Sequence, residues 1–199
     1  MVFRRILTAL ASGVLVCGAL SPVLAQSAAP KATKSAPRPE QRPSVPGGGS
    51  AEPTLMGQFG TWGAYSAAPN GKRVCFALAK PTTSKTNPPN RPRDPAYAFI
   101  STRPAEKVVN EVSVMIGYAL KPGSESTIEV GGASYAMYTQ GDGLWIKNAA
   151  EEERMVEAMR HASEIVVKGV SAKGTETTDT FSLKGLAQAL DKIAQDCKR

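Results

Sequence analysis

The strongest constraint in this sequence is a series of nine short apolar or alternating runs, which begins after residue 59 and is divided by Gly, Pro and Asn. Runs of this kind, punctuated by turn residues, are typical of antiparallel strands in a sandwich or barrel. The chain from 59 to 199 is long enough for one hydrophobic core and too short for two. We therefore predict one mainly β, β-sandwich-like domain over 59–199, with strands at 61–66, 73–79, 96–101, 111–118, 126–130, 134–139, 144–147, 164–172 and 176–181.

The first 25 residues have the three parts of a secretory signal peptide. Arg4 and Arg5 precede an uncharged apolar run over residues 6–20, and short side chains occupy the −3 and −1 positions of a cut after Ala25. The apolar run is shorter than the roughly 20 residues that a membrane span needs. We therefore predict a signal peptide over residues 1–25 and a periplasmic or secreted mature protein without a transmembrane span.

Residues 26–58 have the composition of a linker. They contain six prolines and the Gly47–Gly49 run, and almost no large apolar side chains. A segment of this kind buries too little apolar surface to offset its conformational entropy. We predict a disordered linker rich in Pro, Gly and Ser over 26–58.

Two helices are predicted among the strands. The first covers residues 149–162, with Asn148 as its N-cap and three consecutive glutamates near the positive end of the helix dipole. The second follows Ser182 as N-cap. Its apolar residues recur at offsets that trace one helical face, and Cys197 lies on that same face.

The cysteines favour a disulfide. Cys17 would leave with the signal peptide, so that Cys75 and Cys197 form an even pair in an oxidising compartment. Cys75 shares one side of its strand with Ala77 and Ala79, where a helix end could approach closely enough for a bridge. We predict a bond between Cys75 and Cys197 that fixes the C-terminal helix to the sheet. Two separate buried thiols are the alternative interpretation.

The sequence contains no recognisable catalytic, metal or phosphate-binding motif. Its one histidine, His161, lies near the end of the first predicted helix, and no zinc or nucleophile-elbow motif occurs. We expect Asp142, Asp179 and Asp191 in turns or on polar faces. The formal net charge is +7, but no dense basic face or nucleic-acid-binding module accompanies it. We predict a protein without enzymatic activity, cofactor, metal or nucleic-acid partner.

A proline-rich loop over residues 80–95 is the candidate contact surface. Its cations Lys80, Lys85, Arg91 and Arg93 outnumber the single acid Asp94. Long basic loops on a sheet scaffold often carry function and suit an anionic polymer, a phospholipid headgroup or an acidic protein. A solvated connector is the alternative interpretation. The tryptophans of the predicted strands, Trp62 and Trp145, are expected in the core, with a sugar-binding surface as the alternative.

Three stretches resemble a known family. The strands "FGTWGAY" and "RVCFALAKP" and the closing segment "DTFSLKGLAQALDKIAQDC", behind a signal peptide, resemble the invasion-associated locus B proteins of bacteria. The resemblance covers residues 59–197 and maps the strand cysteine and the C-terminal cysteine of that family onto Cys75 and Cys197.

The resemblance implies an exported, mostly β, non-enzymatic envelope protein, linked in some bacteria to host-cell entry. Such a protein would act by binding an unidentified protein or surface partner. The alternative function is a periplasmic binding module for an anionic glycan or lipid that uses the basic loop.

Overall fold

The computed structural model of the chain describes residues 52–197. The predicted signal peptide and residues 26–51 of the predicted linker lie outside the described residues. Neither helix of the described part has the length and hydrophobicity that a membrane crossing requires.

Residues 52–197 form eleven strands and two α-helices. The strands are β1 Thr54–Phe59, β2 Trp62–Ala67, β3 Val74–Ala79, β4 Thr83–Asn87, β5 Tyr97–Arg103, β6 Val108–Met115, β7 Ser126–Val130, β8 Ala133–Gln140, β9 Gly143–Ile146, β10 Glu164–Val170 and β11 Glu176–Ser182. The helices are α1 Ala149–His161 and α2 Leu186–Asp196, and short 3-10 turns occupy Pro69–Gly71 and Pro104–Glu106. All nine predicted strands and both predicted helices are present.

All eleven strands belong to one antiparallel sheet, in the order β1-β2-β3-β5-β6-β9-β8-β7-β10-β11-β4. The sheet curls over a single main core, to which strands from both ends of this order and both helices contribute. The indole nitrogen of Trp62 on β2 donates to the backbone carbonyl of Ser182 on β11 at 2.9 Å, which joins the two ends of the curl. The mainly β prediction is confirmed, and the sandwich-like form comes from one curled sheet.

Two strands lie where none was predicted. β1 includes residues 54–58 of the predicted linker, and β4 lies within the predicted loop over 80–95. Both are edge strands, and each is held by a backbone ladder to one neighbour, β2 or β11. The side chains of β4 are polar and largely exposed, and in β1 Gly57 and Gln58 interrupt the apolar residues, so that neither strand has the alternation from which a strand is predicted.

Helix α2 begins later than predicted. Ser182 is the last residue of β11 and not an N-cap, because its carbonyl accepts hydrogen bonds from Trp62 and Thr61 that keep the backbone extended. The chain turns at Gly185, whose φ is +93°. A side chain there would lie 1.9 Å from the carbonyl oxygen of Phe59, so that only glycine fits.

The predicted disulfide is present and joins α2 to the sheet. Cys75 and Cys197 have Cα atoms 6.0 Å apart, and both are buried. The helix lies over the alanine side of the strands, where Ala64 and Ala77 leave room for the close approach of Ile193 and its neighbours. The alternative of two separate thiols is therefore excluded.

The first prediction concerns this bond. Replacing both cysteines by Ser should lower the free energy of unfolding by up to about 5 kcal/mol, because an intact bond closes a long loop in the unfolded chain. The residues that it joins are 122 positions apart. Urea unfolding of the variant is compared with that of oxidised and reduced wild type. The variant should match the reduced protein, and a variant as stable as the oxidised protein would contradict the prediction.

Candidate functional site

The proline-rich return from β4 to β5 is fixed to the body of the domain by its backbone. The amide of Asp94 donates to the carbonyl of Gly117 at 3.0 Å. Gly117 has a φ of +80°, and a Cβ atom there would lie 2.1 Å from the Asp94 carbonyl oxygen. The amide of Arg91 donates to the hydroxyl of Thr86 on β4 at 3.2 Å. The segment is therefore ordered, and its close contact with the body of the domain at Asp94 requires a glycine at position 117.

A buried ion pair anchors the same segment. The guanidinium of Arg93 donates to both carboxylate oxygens of Asp179, one at 2.7 Å, and to the carbonyl of Ile116 at 3.0 Å. The side chain of Arg93 is 11% exposed and that of Asp179 is fully buried. A bidentate pair of this kind is geometrically specific, and removing one partner leaves an uncompensated buried charge.

Tyr118 lies beside this pair. The guanidinium carbon of Arg93 is 6.0 Å from the centre of its ring, within the range of a cation–π contact. Its hydroxyl is 2.6 Å from the hydroxyl of Thr177 on β11. Burial raises the pKa of Tyr118, and the Thr177 hydrogen bond and the charge of Arg93 only partly oppose it. The phenol is therefore neutral at physiological pH and can act as a hydrogen-bonding group.

These residues border a cavity of about 740 Å³, which we call the basic groove. One wall consists of residues from 86 to 93, the other is the turn at 171–175 between β10 and β11, and Tyr118 and Thr177 form the floor. Three cations line the groove, Arg91, Arg93 and Lys173, and no carboxylate does. Because Asp179 neutralises Arg93, the exposed charges of Arg91 and Lys173 dominate the rim.

The structure separates the four predicted contact cations. Arg91 lies on the rim and Arg93 lies beneath it, in the ion pair. Lys85 is an exposed residue of β4, and the Nζ of Lys80 lies 5.7 Å from the centre of the Tyr97 ring. Neither lysine lines the basic groove. The expectation that Asp179 lies in a turn or on a polar face is wrong, because β11 directs it inward beside Phe181.

Lys173 was not recognised as a site residue in the sequence. It occupies the predicted turn of the β10–β11 hairpin, and that turn is present as expected. Its position against Arg91 depends on the pairing of β4 with β11, which no local pattern indicates.

A second cavity, of about 1140 Å³, lies between β6 and α1. Glu152, one of the three consecutive glutamates at the start of α1, accepts a hydrogen bond from the Val112 amide at 2.7 Å. Burial raises the pKa of Glu152, with the Val112 bond acting in the opposite sense. Nearby, Arg103 pairs with Glu111 through two bonds of 2.9 Å. These contacts hold β6 against α1. Because Glu152, Arg103 and Glu111 already have partners within the fold, we take the basic groove as the candidate site.

The remaining chemically distinctive residues are dispersed. Trp62 is fully buried, whereas Trp145 is half-buried and stacks on the exposed Tyr138 at 5.7 Å between ring centres. His161 is exposed beside Glu157 at the end of α1. Within residues 52–197, no three His, Cys, Asp or Glu side chains converge as metal ligands.

The second prediction distinguishes the two arginines of the groove wall. Replacing Arg93 by Gln should lower the free energy of unfolding by about 3–5 kcal/mol, because Asp179 would be left buried without its cation. Replacing Arg91 by Gln removes the same charge two residues away and should change stability by less than about 0.5 kcal/mol. Urea unfolding measures both. Equal stability of the two variants would contradict the assignment of Arg93 to the fold.

Comparison with known proteins identifies the family. A family model described as "Invasion associated locus B (IalB) protein" matches residues 62–194, which run from the start of β2 into the last turn of α2. No curated protein and no solved structure gives a significant match to the chain. The matched segment contains both walls of the basic groove, the Arg93–Asp179 pair and Cys75. The chain belongs to the invasion associated locus B family.

Proposed function

We propose that this protein is an exported, non-enzymatic protein of the bacterial envelope that binds an acidic segment of a partner protein in the basic groove. The observation that carries the proposal is the lining of the groove, in which three cations occur without a carboxylate. Membership of the family supports an envelope-associated role, and the signal peptide predicted over residues 1–25 supports export.

The charge distribution suits a carboxylate-bearing ligand. Asp179 neutralises Arg93 from below, so that Arg93 supports the floor without competing for the ligand. Arg91 and Lys173 stand on opposite walls, and a chain with spaced carboxylates could contact both. Arginine offers a planar donor fork for carboxylates, and lysine adds a mobile point charge.

The shape of the groove favours an extended peptide. Its walls carry Pro88 and Pro92 on one side and Ala172 on the other, and its floor is formed by Tyr118 and Thr177, whose hydroxyls bond each other. Apolar walls with a few convergent polar groups are typical of sites that fix the orientation of a ligand. The walls are held in place before binding, which lowers the entropic cost of association.

A periplasmic binding module for an anionic glycan or lipid is the second candidate. It is favoured by the stacked pair of Tyr138 and Trp145, since an aromatic surface of this kind can hold a sugar ring. The family description, invasion associated locus, suggests host-cell contact as the setting in which either kind of binding would act.

The third prediction tests the groove directly. Binding of a poly-glutamate peptide to the chain lacking residues 1–25 is measured by calorimetry over a range of salt concentrations. Replacing Arg91 and Lys173 together by Gln should weaken binding by about tenfold, if each rim charge contributes about 0.7 kcal/mol. Affinity should also fall as salt is raised, because the charges are at the surface.

The matched control is the double replacement of Lys80 and Lys85 by Gln. It removes the same number of positive charges, from the predicted loop over 80–95 but outside the groove. Equal losses in the two variants would indicate a diffuse charge effect and contradict the groove. Stronger binding to anionic phospholipid vesicles or to a sulfated polysaccharide than to the peptide, lost on replacement of Trp145 by Ala, would favour the second candidate instead.

A further inference from the structure

The second cavity, between β6 and α1, adjoins a strand edge that has no strand beside it. β6 has eight residues, but β9 pairs only with the last three, Ser113–Met115. The chain leaves β9 at Ile146 and forms α1, so that no described strand pairs with residues 108–112 on the side away from β5. The cavity lies along this open edge, with the first part of β6 on one side and α1 on the other.

A side chain takes the place of the missing strand at one point. The amide of Val112 donates to the carboxylate of Glu152 at 2.7 Å, where a neighbouring strand would present a carbonyl oxygen. Burial is the main cause that raises the pKa of Glu152, so the surroundings of this carboxylate disfavour its charge. A peptide carbonyl can therefore replace Glu152 at Val112 and leave no amide unpaired.

The open edge carries opposite charges at its two ends. Lys107 is exposed at the start of β6, and Glu152 lies at the other end, beside Val112. Val109, between them, is 50% exposed and offers an apolar contact. The wall formed by α1 includes residues of both signs, so that the order of charges along β6 distinguishes one end of the cavity from the other.

We propose that this edge binds a short extended segment of a partner protein, which adds antiparallel to β6 and carries a basic residue, then an apolar residue, then an acidic residue. In strand addition of this kind, main-chain hydrogen bonds supply affinity and the side chains supply specificity. The site differs from the basic groove in using the backbone of a strand, and it does not rest on the proposed function.

The direction and length of the added segment follow from the sheet. Both strands that pair with β6 are antiparallel to it, so an added strand of the same kind begins beside Glu152 and ends beside Lys107. Its basic residue therefore precedes its acidic residue. The segment is short, because Asn110 has a φ of +55° and the pairing of β6 with β5 shifts register there.

The fourth prediction tests the edge with two end-blocked peptides of the same composition. One has the sequence Ser-Lys-Thr-Val-Thr-Glu-Ser, and in the other Lys and Glu are exchanged. Each is titrated into the isotopically labelled chain from residue 26 to residue 199, and the Val112 amide is followed by nuclear magnetic resonance. The peptide with Lys first should shift this resonance and bind about tenfold more tightly, since two surface charge contacts are favourable in one order and unfavourable in the other.

A charge reversal on the protein is the matched variant. Lys107→Glu should make the two peptides bind about equally, because the acidic end of each order then meets a glutamate at one end of the edge. Lys121→Glu makes the same change of charge at an exposed position outside this cavity and should keep the preference. Near-ultraviolet circular dichroism checks that both variants are folded.

Four results would overturn the proposal. They are an unmoved Val112 resonance at millimolar peptide, equal binding of both peptides to wild type, the same preference in wild type and Lys107→Glu, and a Val112 shift that appears without peptide as the protein is concentrated. The last result would identify a second copy of the chain as the occupant.

Discussion

The buried ion pair between Arg93 and Asp179 determines how the proline-rich segment lies on the sheet. The segment itself has few apolar side chains and no regular secondary structure after β4. Its position depends on the guanidinium that enters beside Ile116 and on the backbone bond from Asp94 to Gly117. With this anchor, a stretch that composition would assign to solvent becomes one wall of the basic groove.

Covalent and ionic constraints fix different parts of the domain. The bond from Cys75 to Cys197 holds α2 on the alanine side of β3, and the pair of Arg93 and Asp179 holds the segment before β5 on β11. The disulfide acts mainly on the unfolded chain by closing a long loop, whereas the ion pair is specified by geometry in the folded state.

Much of the fold could be predicted from local pattern. The nine strands with apolar or alternating runs, the hairpin of β10 and β11, and the helix face that carries Cys197 all follow from side-chain periodicity. The edge strands β1 and β4 could not be predicted, since backbone ladders hold them and neither has a regular apolar alternation. The burial of Asp179 was missed for a related reason, because its partner lies 86 positions away along the chain.

The candidate site was predicted only in part. Composition indicates the loop and its positive charge, and one of the predicted contact cations, Arg91, does line the basic groove. Lys173 comes from another hairpin and meets the loop only through the pairing of β4 with β11. A count of charges also treats Arg93 and Arg91 as equivalent. In the structure, Arg93 is paired with the buried Asp179, whereas Arg91 is exposed to solvent.

Hydrogen exchange at the amide of Asp94 in the native wild-type chain tests most directly whether the proline-rich segment is a fixed wall. Its bond to Gly117 and the anchor at Arg93 predict protection of at least about a hundredfold over an unstructured peptide, or about 3 kcal/mol of opening free energy. Exchange at the rate of an unstructured peptide would contradict the account, since the segment would then be a solvated connector.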